Sequence, residues 1–196
     1  MIEVRPVTLD GKRVRLEPML HSHIGDLTRA GGFEELWRLT SARADSPEGM
    51  KDYVGEALAD QERGTSLPFV TVDKLSGQIV GSTRFGNIDV SNRRAEIGWT
   101  WIMPAFQRTY VNSEAKLLML THAFETWDCA RVELKTDVLN SKSRNAMLRM
   151  GAKEEGIFRK HMLTYTGRWR DSVYYSVIDS EWPAVKARLE SFVSRP

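Results

Sequence analysis

Apolar and polar residues alternate through residues 12–17 (KRVRLE), with Val14 and Leu16 inward, which predicts an opening strand. From residue 21 to 30 the spacing becomes weakly helical. Gly31-Gly32 breaks it, and residues 33–39 predict a short second helix. Ser46-Pro47-Glu48 then reads as a helix start, with serine as cap and proline at the first position. Tyr53, Val54, Ala57 and Leu58 share a face of that helix, and Gly64 ends it after about Arg63. Three strands follow, over residues 67–73, 78–85 and 94–103, joined by short turns as in an antiparallel meander. In the third, Ala95, Ile97, Trp99, Trp101 and Met103 are expected on one face, and Glu96, Gly98 and Thr100 on the other.

Beyond this meander the apolar positions Ala115, Leu117, Leu118, Met119, Leu120, Ala123, Phe124 and Trp127 cover most of a helix circumference. That predicts a central packed helix, with Asn112 as its cap. Residues 131–137 alternate as a strand. Asn140 caps a helix over 141–150 that Gly151 closes. Residues 158–164 and 171–178 predict a hairpin around Thr166-Gly167, and Ser180-Glu181-Trp182-Pro183 starts a last helix. The implied architecture is α/β (α+β): a mixed, mostly antiparallel central sheet of about seven strands with helices on both faces. One domain over residues 1–196, with its core at about 10–190, is expected from the 196-residue length.

Composition narrows the function classes. The net charge is +2 and no basic block stands out, so no nucleic-acid partner is expected. The opening run MIEVRPVTLDGKRVRLEP carries charges every few residues and reads as no secretory signal. No apolar run approaches the ~20 residues a bilayer span needs, so no membrane role and a cytoplasmic location are expected. Cys129 is the only cysteine, which excludes an intrachain disulfide and reads as a small core residue. His21 and His23 are two apart, the wrong spacing for one helical face, and no metal site is expected. His122 reads as a packed or surface histidine, and His161 has no evident partner. There is no G-x-x-x-x-G-K-[ST] loop, no G-x-G-x-x-G and no nucleophile elbow.

The candidate chemistry lies at residues 104–112, between a strand and a helix N-terminus. Free backbone N–H groups and the positive end of a helix dipole suit a phosphate there. Around it stand AEIGW, QRTYVN, NSEAKLL, RVELKTD, NSKSRNA, MGAKEEG and FRKH. As a series these resemble the GNAT superfamily of acetyl-CoA-dependent N-acetyltransferases, and within it the branch that acetylates N-terminal alanine or serine of ribosomal proteins. The resemblance covers roughly residues 10–190.

The resemblance implies acetyl-CoA as co-substrate, with direct attack of an amine on its thioester in a ternary complex. The acceptor would be a protein N-terminus or a small amine, and a homodimer is compatible with it. The alternative is a catalytically inactive acyl-CoA-binding or partner-binding module on the same fold. By the same resemblance Glu96 is the candidate base, through a water; the competing reading is a strand glutamate paired with Arg84 or Arg94. Asn140 would bond the pantetheine arm or thioester region, or serve as a plain cap. Ser143 is the candidate proton donor to the thiolate, because the helix SKSRNAMLRM lacks the tyrosine many relatives use. Backbone N–H groups of Ile102 and Met103 would hold the pantetheine. Gln107, Arg108, Thr109, Tyr110, Val111, Asn112 and Ser113 would hold the pyrophosphate, and Lys142 and Arg144 the 3′-phosphate. One departure stands out: the family loop is usually [QR]-x-x-G-x-[GA], and here Tyr110 and Asn112 replace the glycines. Arg108 offers phosphate a direct charge instead. Trp99 and Trp101 read as core, Phe33 and Trp37 as an acceptor wall, and Arg168-Trp169-Arg170 as an exposed turn or partner contact.

Overall fold

The computed structural model describes residues 2–194. Its eight strands lie in the order β1-β2-β3-β4-β5-β6-β8-β7. The first five are β1 (Leu9–Asp10), β2 (Val14–Pro18), β3 (Leu67–Asp73), β4 (Gln78–Asp89) and β5 (Arg94–Ile102). The others are β6 (Arg131–Asp137), β7 (Lys153–Leu163) and β8 (Trp169–Ile178). All neighbours pair antiparallel except β5 and β6. The eighth strand, beyond the seven expected, is the two-residue β1 folded back onto Arg15 and Leu16.

Helices α1 (Ile24–Gly31) and α2 (Pro47–Glu62) pack on one face, in a core that holds Met19, Leu27, Trp37, Met50, Tyr53 and Val70. Helices α3 (Tyr110–Thr121), α4 (Ser141–Met150) and α5 (Trp182–Val193) cover the other, over Phe69, Phe85, Ile97, Val132 and Tyr175. The sheet thus has helices on both faces, as the residue pattern implies.

Several boundaries differ from expectation; the helix expected over residues 33–39 is only a 3₁₀ turn, Glu34–Leu36, and β4 runs on to Asp89. Helix α3 starts at Tyr110, because Thr109 holds the extended backbone of a cap and its Oγ1 accepts the Val111 N–H at 3.3 Å; Asn112 lies inside the first turn. The same helix widens into a π turn over His122–Thr126, which packs the His122 ring 4.8 Å from Trp127. Helix α5 begins at Trp182, after a 3₁₀ turn over Asp179–Glu181, and not at a Ser180 cap. Strand β7 begins at Lys153, five residues early; its first stretch, KEEG, is exposed edge strand with no apolar alternation to read.

The largest difference is in β5. Ser82 pairs with Trp101 but Arg84 with Gly98, so two residues of β5 oppose one of β4. This bulge sits at Trp99, whose φ is +49°. It reverses the alternation, so the five apolar residues do not share a face. Ala95, Ile97 and Ile102 enter the core under α3, whereas Trp101 crosses to the opposite core, 5.5 Å from the Trp37 ring. Thr100 turns to the α3 face, away from Glu96. Gly86 makes room for Trp99, since a Cβ there would lie 2.4 Å from the indole.

Candidate active site

Strands β5 and β6 share a ladder over only three pairs, Arg94–Arg131, Ala95–Val132 and Glu96–Glu133. Past Glu96 the bulge carries β5 off, and the facing backbone groups of the two strands lose each other as partners. A wedge therefore opens, with Glu96 at its apex and the start of α3 at its mouth.

At the mouth, the N–H groups of Tyr110, Val111 and Asn112 lie in the first helical turn, where no preceding carbonyl can take them. Gln107 Nε2 donates to the Ile102 carbonyl at 3.0 Å and ties the loop to the end of β5. Arg108 is exposed with φ +63°, a left-handed step uncommon outside glycine. That step does locally what a glycine would do, at the position where the chain must turn its amides outward. Tyr110 does not fill the mouth. Its hydroxyl donates to Asp73, and the Arg13 guanidinium lies 4.0 Å from its ring centre. Burial, then the bond to Asp73, pushes the phenol up to about 12, so it stays a donor. The bulk that replaces the family's glycine is held by Asp73 and Arg13, and with the Val111 N–H on Thr109 Oγ1 the first-turn amides that would meet a phosphate are those of Tyr110 and Asn112.

Along the wedge, the Met103 N–H is already taken by the Val80 carbonyl at 2.8 Å, which continues the β4–β5 pairing past Ile102. That corrects its expected part in holding pantetheine. Strand N–H groups alternate in direction, so the neighbouring Ile102 N–H points the other way, into the wedge. On the β6 side, Asn140 Oδ1 caps α4 through the Ser143 N–H at 3.0 Å, and Ser143 is half-buried. Lys142 is exposed. Arg144 is drawn instead to the Tyr175 hydroxyl (3.2 Å) and the Val138 carbonyl (3.3 Å).

At the apex, Glu96 is 2% exposed. Its carboxylate accepts from Asn87 Nδ2 at 2.8 Å and from Lys135 Nζ at 2.9 Å. Gly98 leaves the space, since a Cβ there would lie 2.9 Å from Glu96 Oε1. The expected partners are elsewhere. Arg84 lies 4.7 Å from Trp99 and 5.0 Å from Tyr53, near Asp60, while Arg94 pairs with Asp89 and Glu133. Lys135 wins because it sits two residues past Glu133, the partner of Glu96, on the same face of the adjacent strand. Its ammonium also lies 5.6 Å from the Tyr174 ring and 5.9 Å from Trp99.

Above Glu96 a cleft of about 850 Å³ opens between the β4–β5 turn and β7, with Asn87, Glu133, Glu155, Phe158 and Tyr174 among its walls. His161 packs on Tyr174 at its edge. Burial, then the positive charges of Lys135 and Arg170, lowers its proton affinity. Of the three residues expected to project from the hairpin, the two arginines turn inward: Arg168 pairs with Asp137 and Arg170 is buried beside Ser172, while Trp169 is exposed. Phe33 is exposed, and Trp37 is core, with its indole N–H on the Gly31 carbonyl. Residue-level reading missed Asn87, Lys135 and Tyr174, whose approach depends on register. It also missed Lys116, a buried lysine whose signal was a lone charge in an otherwise apolar stretch of helix.

Residues 13–153 match the acetyltransferase (GNAT) domain family. The chain belongs to this family. A GCN5-related N-acetyltransferase from Brucella melitensis superposes with a TM-score of 0.89 and 30% identity, covering 97% of this chain and 86% of that one. Mycobacterium smegmatis RimJ, solved in complex with CoA-disulfide, shares the fold at a TM-score of 0.82 and 23% identity, with 97% of each chain covered. YdaF of Bacillus subtilis (strain 168), whose name proposes a ribosomal N-acetyltransferase, is 36% identical over 110 residues. That match spans 56% of this chain and 59% of YdaF. The resemblance read from AEIGW through FRKH is therefore borne out at the level of family, as is the mixed sheet. No helix among the described residues is long and apolar enough to cross a membrane.

Proposed function

We propose that this enzyme transfers the acetyl group of acetyl-CoA to a primary amine, a protein N-terminal α-amine, by direct attack in a ternary complex. One observation carries the reading: the β5–β6 ladder stops at Glu96, and the wedge beyond it ends at an open helix N-terminus with Tyr110 folded away. The pyrophosphate would lie on the amides of residues 108–113, and the pantetheine along the Ile102 N–H and the Asn140 amide. The acceptor would enter from the opposite face, through the cleft above Glu96.

Glu96 would take the proton of the attacking amine through a water, while Asn87 and Lys135 hold its carboxylate in place. An α-amine with pKa near ~7.7–8.0 is roughly a tenth to a fifth neutral at pH 7, whereas a lysine near ~10.4 is almost wholly charged. A base already engaged by Lys135 suits the easier substrate, and the name of YdaF points the same way. Calorimetry with acetyl-CoA, then thiol release over peptides with free or blocked N-termini, tests this. Turnover confined to free N-termini is expected. Binding without turnover on any amine would make the chain a non-catalytic module, and no binding would remove the reading altogether.

A further inference from the structure

Lys116 lies in the second turn of α3 and is 6% exposed. Its Nζ donates to Thr100 Oγ1 at 2.8 Å. No carboxylate among the described residues pairs with it. Behind Thr100 the chain of contacts continues to the Thr83 hydroxyl on β4, 2.7 Å from that of Thr100, and to the Met119 sulfur, 3.5 Å from Thr83 Oγ1. An isolated ammonium in such a place is costly, and core packing alone would favour methionine or leucine there. The Thr100 end of this chain is exposed, on the part of β5 that has lost β6 as its neighbour.

The bulge puts Thr100 on the face opposite Glu96. A collapsing tetrahedral adduct needs a base where the amine enters and an acid where the sulfur leaves, and the two faces of the wedge supply those two sides. Thr100 Oγ1 accepts from Lys116 and lies 2.7 Å from Thr83 Oγ1, either of which can donate to the other; when Thr83 is the donor, the Thr100 proton keeps only a long contact, 3.3 Å, to the Gly98 carbonyl.

We propose that Thr100 donates the proton that the departing CoA thiolate needs, and that Lys116 positions and re-protonates it. The inference rests on the acetyl-transfer reading above. In the step, the amine nitrogen bonds to the carbonyl carbon and the C–S bond breaks. The Thr100 Oγ–H proton passes to sulfur, a proton of Lys116 Nζ replaces it, and solvent restores the ammonium. The amine's own proton leaves toward Glu96. Burial brings Lys116 down to about 7, which leaves it able both to give and to regain a proton near neutrality. This assignment fills the role for which α4 offers no tyrosine, and it does not use Ser143.

The test uses the free thiol of CoA as probe. Ultraviolet thiolate absorbance of enzyme-bound CoA is followed against pH in the wild type, Lys116→Met and Thr100→Val. In the wild type the bound thiol should ionise ~10-fold more readily than in solution, because the Thr100 hydroxyl, held by Lys116, hydrogen-bonds the thiolate, and both variants should lose that gain. In parallel, kcat should fall ~10–100-fold in both variants, with KM for acetyl-CoA changed less than ~3-fold, and the fall of wild-type kcat above about pH 7 should vanish in Lys116→Met. Thr100 is exposed, so Thr100→Val is read on a folded protein. Carbon-13 labelling of the lysines gives the titration of Lys116 in the wild type with no substitution at all. Unchanged thiol ionisation in both variants, or a Lys116 resonance that titrates as an ordinary lysine, overturns this inference alone. Failure of CoA to bind overturns it together with the acetyl-transfer reading.

Discussion

Strand β3 is buried at all seven of its positions, whereas β7, at the far edge of the same sheet, is exposed at ten of its eleven. Around β3 both faces are covered, by α1 and α2 above and by α3 below, and the side chains are Phe69, Val70, Leu67 and their apolar neighbours. From β6 onward only one face is covered. The other carries Arg131, Glu133, Lys135 and Asp137, joined to Arg94, Glu96, Glu155 and Arg168 by ion pairs. The covered half holds the chain together, and the open half can keep charged groups in fixed places with a way out to solvent. Strand β5 belongs to both, and its bulge is the join.

The comparison is tested hardest at that join. Glu96→Gln keeps the size of the side chain and removes its charge. A drop of roughly 10²–10⁴ in kcat is expected, largest at low pH where more of the acceptor is protonated, with acetyl-CoA affinity in calorimetry little changed. Equal rates across pH would leave Glu96 a structural partner of Lys135.

Next come two tryptophans, one from each half. Trp101 is 6% exposed and packed against Trp37 and Tyr53, so Trp101→Ala should cost about 3–5 kcal/mol in urea unfolding. Trp169, on the hairpin, is 55% exposed, and Trp169→Ala should stay within about 0.5 kcal/mol. Similar losses from the two would erase the distinction between the halves.

Lys116 is a buried charge of the covered half. Its ordinary value is ~10.4, and burial brings it down to about 7 in the folded chain. Between those values the unfolded chain binds the extra proton, so this group makes stability rise with pH through that window and adds no slope below it. Lys116→Met removes the slope. The variant should be more stable by about 1–3 kcal/mol below pH 7, and the gain should shrink toward pH 10, as read by urea melts at several pH values.

A single hydrogen bond is at stake at the mouth. Tyr110→Phe removes one hydrogen bond to Asp73, which keeps its bonds from Ser76. A loss of about 1 kcal/mol is expected in unfolding. Acetyl-CoA affinity should weaken too if the pinned ring is what keeps the amides clear.

Most elements were legible in the sequence because their signals are local. Ser46-Pro47 and Asn140 cap the helices they were expected to cap, and Gly151 closes α4 in the left-handed region. Alternation marked β2 and β6, and short turns set off β3 and β4. The family was legible too, since its motifs are runs of adjacent residues. What misled was also local: an unbroken alternation along residues 95–103, in which the lone Gly98 was the only hint of a bulge. Exposed β7 offered no apolar period at all.

The amino-acid order by itself determined the elements, their succession and the family, because capping, turn chemistry and apolar period act over a few residues. Only tertiary structure decided which groups meet. Glu96 found Lys135 rather than Arg84 or Arg94 because strand register, not sequence distance, sets cross-strand neighbours. Tyr110 turned from the mouth of the wedge because Asp73 at the end of β3 and Arg13 just before β2, far back in the chain, were there to receive it. Thr100 changed faces because one extra residue in β5 inverts every side chain after it, and a period of two has no local memory of such a slip.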